Sequence, residues 1–182
     1  MLLQVEQSVL VIIDVQEKLA PVVHQRDQLI TRMRWLGEIA QELSVPTLVT
    51  EQYPKGLGYS VNELSGVIEQ AQVIEKMHFS AMQEEEFADT LKQQNRRQVI
   101  LMGIEAHVCI LQTAMDLAKQ GYSVYVVEDA VGSRRDSDKQ AALSRLRQHG
   151  VIIITSEMAA YEWMHRSGTD QFRHITKNWI RG

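Results

Sequence analysis

Six short runs of β-branched and other apolar residues, separated by stretches of helical period, constrain this chain's fold more than any other feature. They are Ser8–Asp14 (SVLVIID), Pro46–Glu51 (PTLVTE), Gln72–Lys76 (QVIEK), Gln98–Gly103 (QVILMG), Tyr122–Glu128 (YSVYVVE) and Gly150–Thr155 (GVIIIT). All but the third lack in/out alternation, which is how strands covered on both faces read. Between them the apolar spacing predicts helices over Gln25–Leu43, Glu84–Gln94, His107–Gln120, Ser137–His149, Ser156–Met164 (capped by Ser156) and Asp170–Ile180. Alternating strands and helices require right-handed crossovers and a parallel sheet. The expectation is a doubly wound, three-layer α/β/α sandwich with a six-stranded parallel sheet in the order 3-2-1-4-5-6. Gln52–Ser65, with Pro54, Gly56 and Gly58, reads as a long loop over one end of the sheet.

Composition narrows the function classes. A chain of 182 residues suits one domain, 1–182, and can bury a full core without staples. A net charge of −4 supplies no attraction for nucleic acid or an anionic membrane, so neither is expected as partner. No basic n-region precedes the first run and no run is long enough to span a bilayer, so neither a leader nor a membrane span is expected. The single cysteine forms no internal disulfide, which points to a reducing compartment and a cytoplasmic location. The histidines, at 24, 78, 107, 149, 165 and 174, show neither HxxxH nor HExxH spacing, so no metal site is predicted. Lys55-Gly56-Leu57-Gly58 is not a nucleotide fingerprint, and no cofactor is predicted. Arg134, Arg135, Arg145 and Arg147 read as the solvated side of a helix and its lead-in.

In open α/β sheets, ligands bind beyond the carboxyl ends of the strands, where strand order reverses. Asp14 ends the first run and Lys76 the third, while Cys109 enters the helix that follows the fourth. A carboxylate, an ammonium and a thiol therefore converge on one rim. A thiol in the first turn of a helix faces unpaired amides and the positive end of the helix dipole, which lowers its pKa, and Lys76 would lower it further. Asp14 would take the thiol proton and later activate water. The Gly103–Cys109 turn would aim amides at a developing oxyanion. Each residue also has a plain structural reading: a small buried hydrophobe, a turn aspartate, a solvated lysine. The three types meeting at one rim favour chemistry.

These segments resemble the isochorismatase-like cysteine hydrolases, over nearly the whole chain. The carriers are VIIDVQEKL (11–19), VTEQYPKGLG (49–58), EKMHFSAM (75–82), GIEAHVCILQTAMDL (103–117), VVEDAVGSR (126–134) and ITSEMAAYE (154–162). They look closest to the small stand-alone isochorismatase-domain proteins. The resemblance implies a triad of Asp14, Lys76 and Cys109, and an oxyanion hole formed by the backbone amides of Glu105 and Cys109. It also implies a non-proline cis peptide at Ile104–Glu105, and substrate-binding positions at Gln16, Gln52, Tyr53 and Phe79. Two departures matter. Ala106 stands where many members have threonine. No histidine lies between His24 and His78, so the zinc ligands that nicotinamidases carry after the second strand are missing. The implied activity is hydrolysis of a small-molecule amide, carbamoyl or ester through a thioester. Two alternatives stay open: a non-catalytic descendant that binds a metabolite or partner, and a vinyl ether hydrolase that does not need the thiol. Members are usually oligomers. Trp35, Trp163 and Trp179 are read as apolar surface in excess of one domain's needs, so a homo-oligomer is expected.

Overall fold

The protein, seen in a computed structural model, is described over residues 1–181. Its six strands are β1 (Ser8–Ile13), β2 (Thr47–Gln52), β3 (Gln72–Lys76), β4 (Gln98–Ile104), β5 (Ser123–Gly132) and β6 (Ile152–Ile154). All pair in parallel, in the order β3-β2-β1-β4-β5-β6. The helices are α1 (Arg26–Glu42), α2 (Pro54–Leu57), α3 (Ser65–Ile68), α4 (Glu85–Gln93), α5 (Leu111–Lys119), α6 (Asp136–Gln148), α7 (Ser156–Met164) and α8 (Asp170–Ile175). The predicted loop after β2 thus holds the single turn α2 and a 3-10 turn, Asn62–Leu64.

The absence of alternation has a direct cause. Side chains along a strand point to opposite faces, and both faces of this sheet are covered. From β1, Leu10 and Ile12 pack with Met33, Leu36 and Ile39 of α1, and with Ala160 and Trp163 of α7. Val9, Val11 and Ile13 turn the other way, toward Leu91 of α4, Leu117 of α5 and Leu146 of α6. Each such side chain, removed from water, contributes roughly 1.5–3 kcal/mol. Parallel strands need crossovers, and here these lay helices on both faces. β1 and β4 are adjacent where the order reverses, and it is beyond the carboxyl ends at such a point that open sheets of this kind bind ligands.

Three local expectations are corrected. β5 runs four residues further than the apolar run did. Its register against β4 slips, from Leu101 opposite Val126 to Gly103 opposite Val131. Glu128 and Asp129 sit in that bulge, and beyond it Ala130 and Val131 are again fully buried. The cap of α7 is Thr155, whose Oγ1 accepts from the Met158 amide at 3.2 Å. Ser156 instead donates from its amide and hydroxyl to Asp129, at 2.7 and 2.6 Å. The tryptophans are engaged within the chain, Trp163 buried and Trp35 and Trp179 partly so. Trp163 is buried and donates to Ser8 Oγ, Trp35 Nε1 donates to the Trp179 carbonyl, and Trp179 Nε1 donates to Glu38. They do not supply the spare apolar surface on which oligomerisation was argued.

Where β4 passes β1 the backbones nearly touch. Gly103 has φ +127°, and a Cβ built there would lie 2.2 Å from the Ile13 carbonyl oxygen. Only glycine tolerates both the conformation and the approach. Gly103→Ala is expected to cost about 3 kcal/mol, from strain plus overpacking. An unchanged urea midpoint would show that the strands can part at no expense.

Candidate active site

Asp14 leaves β1 in the left-handed conformation, φ +54°, while its amide still donates to Thr50 of β2. The reversal turns the carboxyl across the strand ends, where it is fully buried. Oδ1 accepts from Thr50 Oγ1 at 2.7 Å, and Oδ2 lies 2.8 Å from Lys76 Nζ. Lys76 closes β3 on the far side of β2, with no exposed side-chain surface. Cys109 lies in a π turn, Ala106–Ile110, that precedes α5, and is 6% exposed. Its thiol adjoins both the Asp14 carboxyl and the Lys76 ammonium. The structure therefore brings together the three groups singled out in the sequence.

The ammonium is oriented as well as placed. Nζ donates to Gln52 Oε1 at 2.6 Å and to the carbonyls of His78 and Phe79, both at 3.1 Å. An ammonium has three N–H bonds; with Asp14 Oδ2 at 2.8 Å it has four acceptors around it, so the ion pair to Asp14 and the bonds to Gln52 and the two carbonyls share them.

Burial dominates the electrostatics. It raises the Asp14 carboxyl above its usual range, against the opposing pull of Lys76 and the hydrogen bond from Thr50. Burial, reinforced by the Asp14 charge, also pushes the Cys109 thiol up to about 12, with Lys76 opposing. This reverses the expectation of a depressed thiol pKa. The helix-dipole argument neglected the lost hydration of the thiolate and the carboxylate beside it. The resting site holds a thiol next to a carboxyl whose basicity is raised, and the three groups titrate as one unit.

The other positions separate into braces and rim. Gln16 is fully buried. Its Nε2 donates to the carbonyls of Gln52 and Gly58, and its Oε1 accepts from the Gln52 amide. With its amide engaged it ties the loops after β1 and β2 together, as a brace beside the site. Gln52 spends Oε1 on Lys76 and donates through Nε2 to the Met77 carbonyl, so it too braces the site. Tyr53 and Phe79 lie on the exposed rim, and the Phe79 carbonyl rather than its ring reaches Lys76. Two contributors escaped sequence reasoning. Thr50, a buried hydroxyl inside an apolar strand, carried a usable signal. Glu84 did not: its Oε1 accepts from the amides of Met77 and His78, fixing the turn whose carbonyls hold Lys76.

The Ile104–Glu105 peptide is cis. Among the described residues the Glu105 amide that follows it donates to no protein acceptor. The Glu105 side chain pairs with Arg134 at 2.8 Å, and His107 Nδ1 lies 2.9 Å from Ser133 Oγ. A cavity of about 730 Å³ lies elsewhere, between the start of α1 and the end of β5, with Asp27, Arg32, Asp129 and Lys139 in its wall. Among the described residues no group of three or more His, Cys, Asp or Glu side chains converges to hold a metal ion, and no helix is long and apolar enough to cross a membrane.

A parallel sheet in this order, with buried acid, ammonium and thiol at its switch point, defines a hydrolase fold class that comparison with known proteins identifies. The model for the isochorismatase domain matches residues 8–158. Isochorismatase domain-containing protein 2 of Danio rerio is 39% identical over 175 residues, covering 96% of this chain and 88% of its own. The structure described as MAR1 ribonuclease from Caenorhabditis elegans is 40% identical with a TM-score of 0.91, over 97% of this chain and 91% of that one. The YcaC gene product of Escherichia coli, described as an octameric hydrolase of unknown specificity, shares the fold. Its TM-score is 0.91 at 24% identity, over 100% of this chain and 92% of that one. The chain belongs to the isochorismatase family and has that family's hydrolase fold.

Proposed function

We propose that this protein is a cysteine hydrolase acting on a small amide, carbamoyl or ester substrate through a thioester. The observation that carries the reading is the meeting of Asp14, Lys76 and Cys109, all buried, from three separate elements at the sheet's switch point. Asp14 Oδ2 accepts the thiol proton as the sulfur attacks the substrate carbonyl carbon. The resulting oxyanion faces the amides of Glu105 and Cys109. Its collapse expels the amine or alcohol, which takes the proton from Asp14 and leaves an acyl thioester on Cys109. Asp14 then takes a proton from water, the hydroxide attacks the thioester, and the acid departs as the thiol regains its proton. Lys76 favours the ionised carboxylate at the start of each half-reaction and keeps it in place as it gains and gives up its proton. The raised basicity of Asp14 suits a group that must take a proton from so weak an acid as the buried thiol.

A ribonuclease reading, suggested by the name of the Caenorhabditis elegans relative, is less well supported. A thiol only 6% exposed gives a polymer little access, and a net charge of −4 provides no attraction for a polyanion. We read the pocket as one for a small molecule, and the thiol as needing a reducing, cytoplasmic setting.

Incubation with a panel of small activated esters, primary amides and carbamoyl compounds, followed by mass spectrometry, tests the reading. An acyl increment on the peptide that contains Cys109 is expected. Turnover with no such adduct, under rapid acid quench, would favour the vinyl ether type of chemistry. Absence of both would favour a binding protein.

The protein is also proposed to assemble with copies of itself. Tyr59, Met77 and Phe79, on loops at the strand ends, are each more than half exposed, and the Escherichia coli neighbour is octameric. Light scattering should return a multiple of the 20.8 kDa chain mass; the single-chain mass would refute assembly.

A further inference from the structure

We propose that Arg134 is a positioning residue for acylation: by holding the Glu105 side chain it fixes the aim of the Glu105 amide toward the oxyanion. The inference rests on the reading of Cys109 as acyl carrier and of that amide as an oxyanion donor. It adds a residue that acts only through Glu105.

Glu105 needs a hold from outside its own turn. β4 ends at Ile104, opposite Gly132 of β5, so Glu105 is the first residue past the ladder. Its carbonyl is committed to the turn ahead, accepting from the amides of Val108 and Ile110 at 3.1 and 3.2 Å. Its amide donates to no acceptor among the described residues, so no bond of its own sets its direction. The side chain is what remains. Arg134 grips it through two nitrogens, with Nε 2.8 Å from Oε1 and Nη2 3.4 Å from Oε2. A fork of this kind fixes a carboxylate in plane as well as in distance.

The grip is anchored. Arg134 follows Ser133, which is buried; the Ser133 carbonyl accepts from the His24 amide at 3.0 Å, and its hydroxyl lies 2.9 Å from His107 Nδ1. Two successive residues after β5 thus reach across to residues 105 and 107 of the turn that leads to Cys109. The guanidinium has a second effect. Covalent geometry keeps the Glu105 carboxylate near its own amide, where an unpaired anion would oppose a developing oxyanion, and the Arg134 charge offsets it. With 61% of its side chain exposed, Arg134 contributes little to stability, so a loss in its variants would not be a loss of fold.

The test compares two reactions of Cys109, the one cysteine of the chain. With p-nitrophenyl acetate the S–C bond forms, the thiol proton passes to Asp14, and p-nitrophenolate leaves from a tetrahedral oxyanion. With methyl methanethiosulfonate the S–S bond forms, the proton again passes to Asp14, and methanesulfinate leaves; no carbonyl takes part. The ratio of the two rates, read on the Cys109 peptide after acid quench, separates the oxyanion donors from the thiol and its base. Loss of a whole oxyanion donor costs about a hundredfold or more, so a donor present but loosely aimed should cost about tenfold. Arg134→Met should therefore lower the ratio about tenfold, with methylthiolation and the urea midpoint scarcely changed. Arg134→Lys, which keeps the charge but not the fork, should lose less. In Glu105→Met the guanidinium has nothing to hold, so adding Arg134→Met should lower the ratio no further. If the ratio is unchanged in Arg134→Met, whether or not both rates fall, the inference is overturned. A further loss on the Glu105→Met background also overturns it, by placing the guanidinium on the substrate. Should Arg134→Met fail to fold by circular dichroism, Arg134→Lys decides, and an unchanged ratio there overturns the proposal. If the unaltered protein gains no acetyl group on Cys109, the reading of the thiol as acyl carrier fails and takes this inference with it. Acetylation beside unmoved Arg134 variants removes only the role of Arg134.

Discussion

Cys109→Ala is expected to cost at least about a thousandfold in turnover of the substrate found by acyl trapping, with the fold intact. In the proposed mechanism the sulfur, the most nucleophilic group at the site, is the atom that holds the acyl group between the two steps. Asp14 and Lys76 are a base and a cation, and the Glu105 and Cys109 amides remain in the alanine variant. Residual rate would come from those amides and from binding alone, the pattern seen whenever a nucleophile is removed from an intact oxyanion site. The truncation deletes a single atom from a buried position, so the stability change should be about 1 kcal/mol. Steady-state kinetics paired with a urea melt separates the two effects. Turnover within a few-fold of the unaltered protein would leave the thiol a packing residue, and the family's thiol-independent chemistry would take over the account.

The second large effect concerns stability. Lys76→Met should destabilise the protein by about 3–5 kcal/mol at neutral pH, because it leaves the Asp14 carboxylate buried without its counter-charge. Its pH dependence is distinctive. The folded-state pKa of Asp14 is raised above the model-compound value of 3.8, chiefly by burial. A carboxyl shifted upward favours the folded state most when protonated, below its unfolded pKa, and that contribution is lost as pH rises through the folded value. Removing the ammonium removes the largest influence that opposes burial, so the folded pKa climbs further and the loss grows. The variant should approach the parent's stability in acid and fall behind steadily toward neutral pH. Urea midpoints at several pH values measure this. A deficit independent of pH would mean that Asp14 is already neutral in the parent. In Lys76→Met combined with Asp14→Asn, much of the loss should be recovered, since the unpaired charge is gone.

Most of the architecture was legible because burial on both faces suppresses alternation, and β1, β2, β4 and β5 all wrote that signature. What the residues hid has physical reasons. Glu128 and Asp129 interrupt the apolar run at a bulge, so the buried Ala130–Gly132 end of β5 read as loop. The π turn at Ala106–Ile110 shares its apolar period with the helix it precedes, and nothing in composition separates the two. The tryptophans were misjudged because hydrophobicity says that a ring needs cover, not which part of the molecule supplies it. At the site, the identities of the three central groups were readable from their places at strand ends. Their hydrogen-bond directions were not. The roles of Gln16 and Gln52 as braces depend on where each amide points, and the thiol's upward shift depends on depth and on a neighbour 95 positions away in sequence, Asp14 against Cys109.

Lys76 is carried by a strand at the margin of the sheet. β3 pairs with β2 alone, over five residues, and Gln72, Val73 and Glu75 face solvent. Margins open at lower free energy than interiors. Detachment of β3 is opposed by its ladder to β2, by buried Ile74 and the paired Lys76, and by the Glu84 clamp on the 77–78 turn. Were it to occur, it would withdraw the cation while Asp14 and Cys109 stay with β1 and the turn before α5. If this margin opens first, activity should be lost on warming before the global melt, which hydrogen exchange at the β3 amides compared with the thermal activity curve would show.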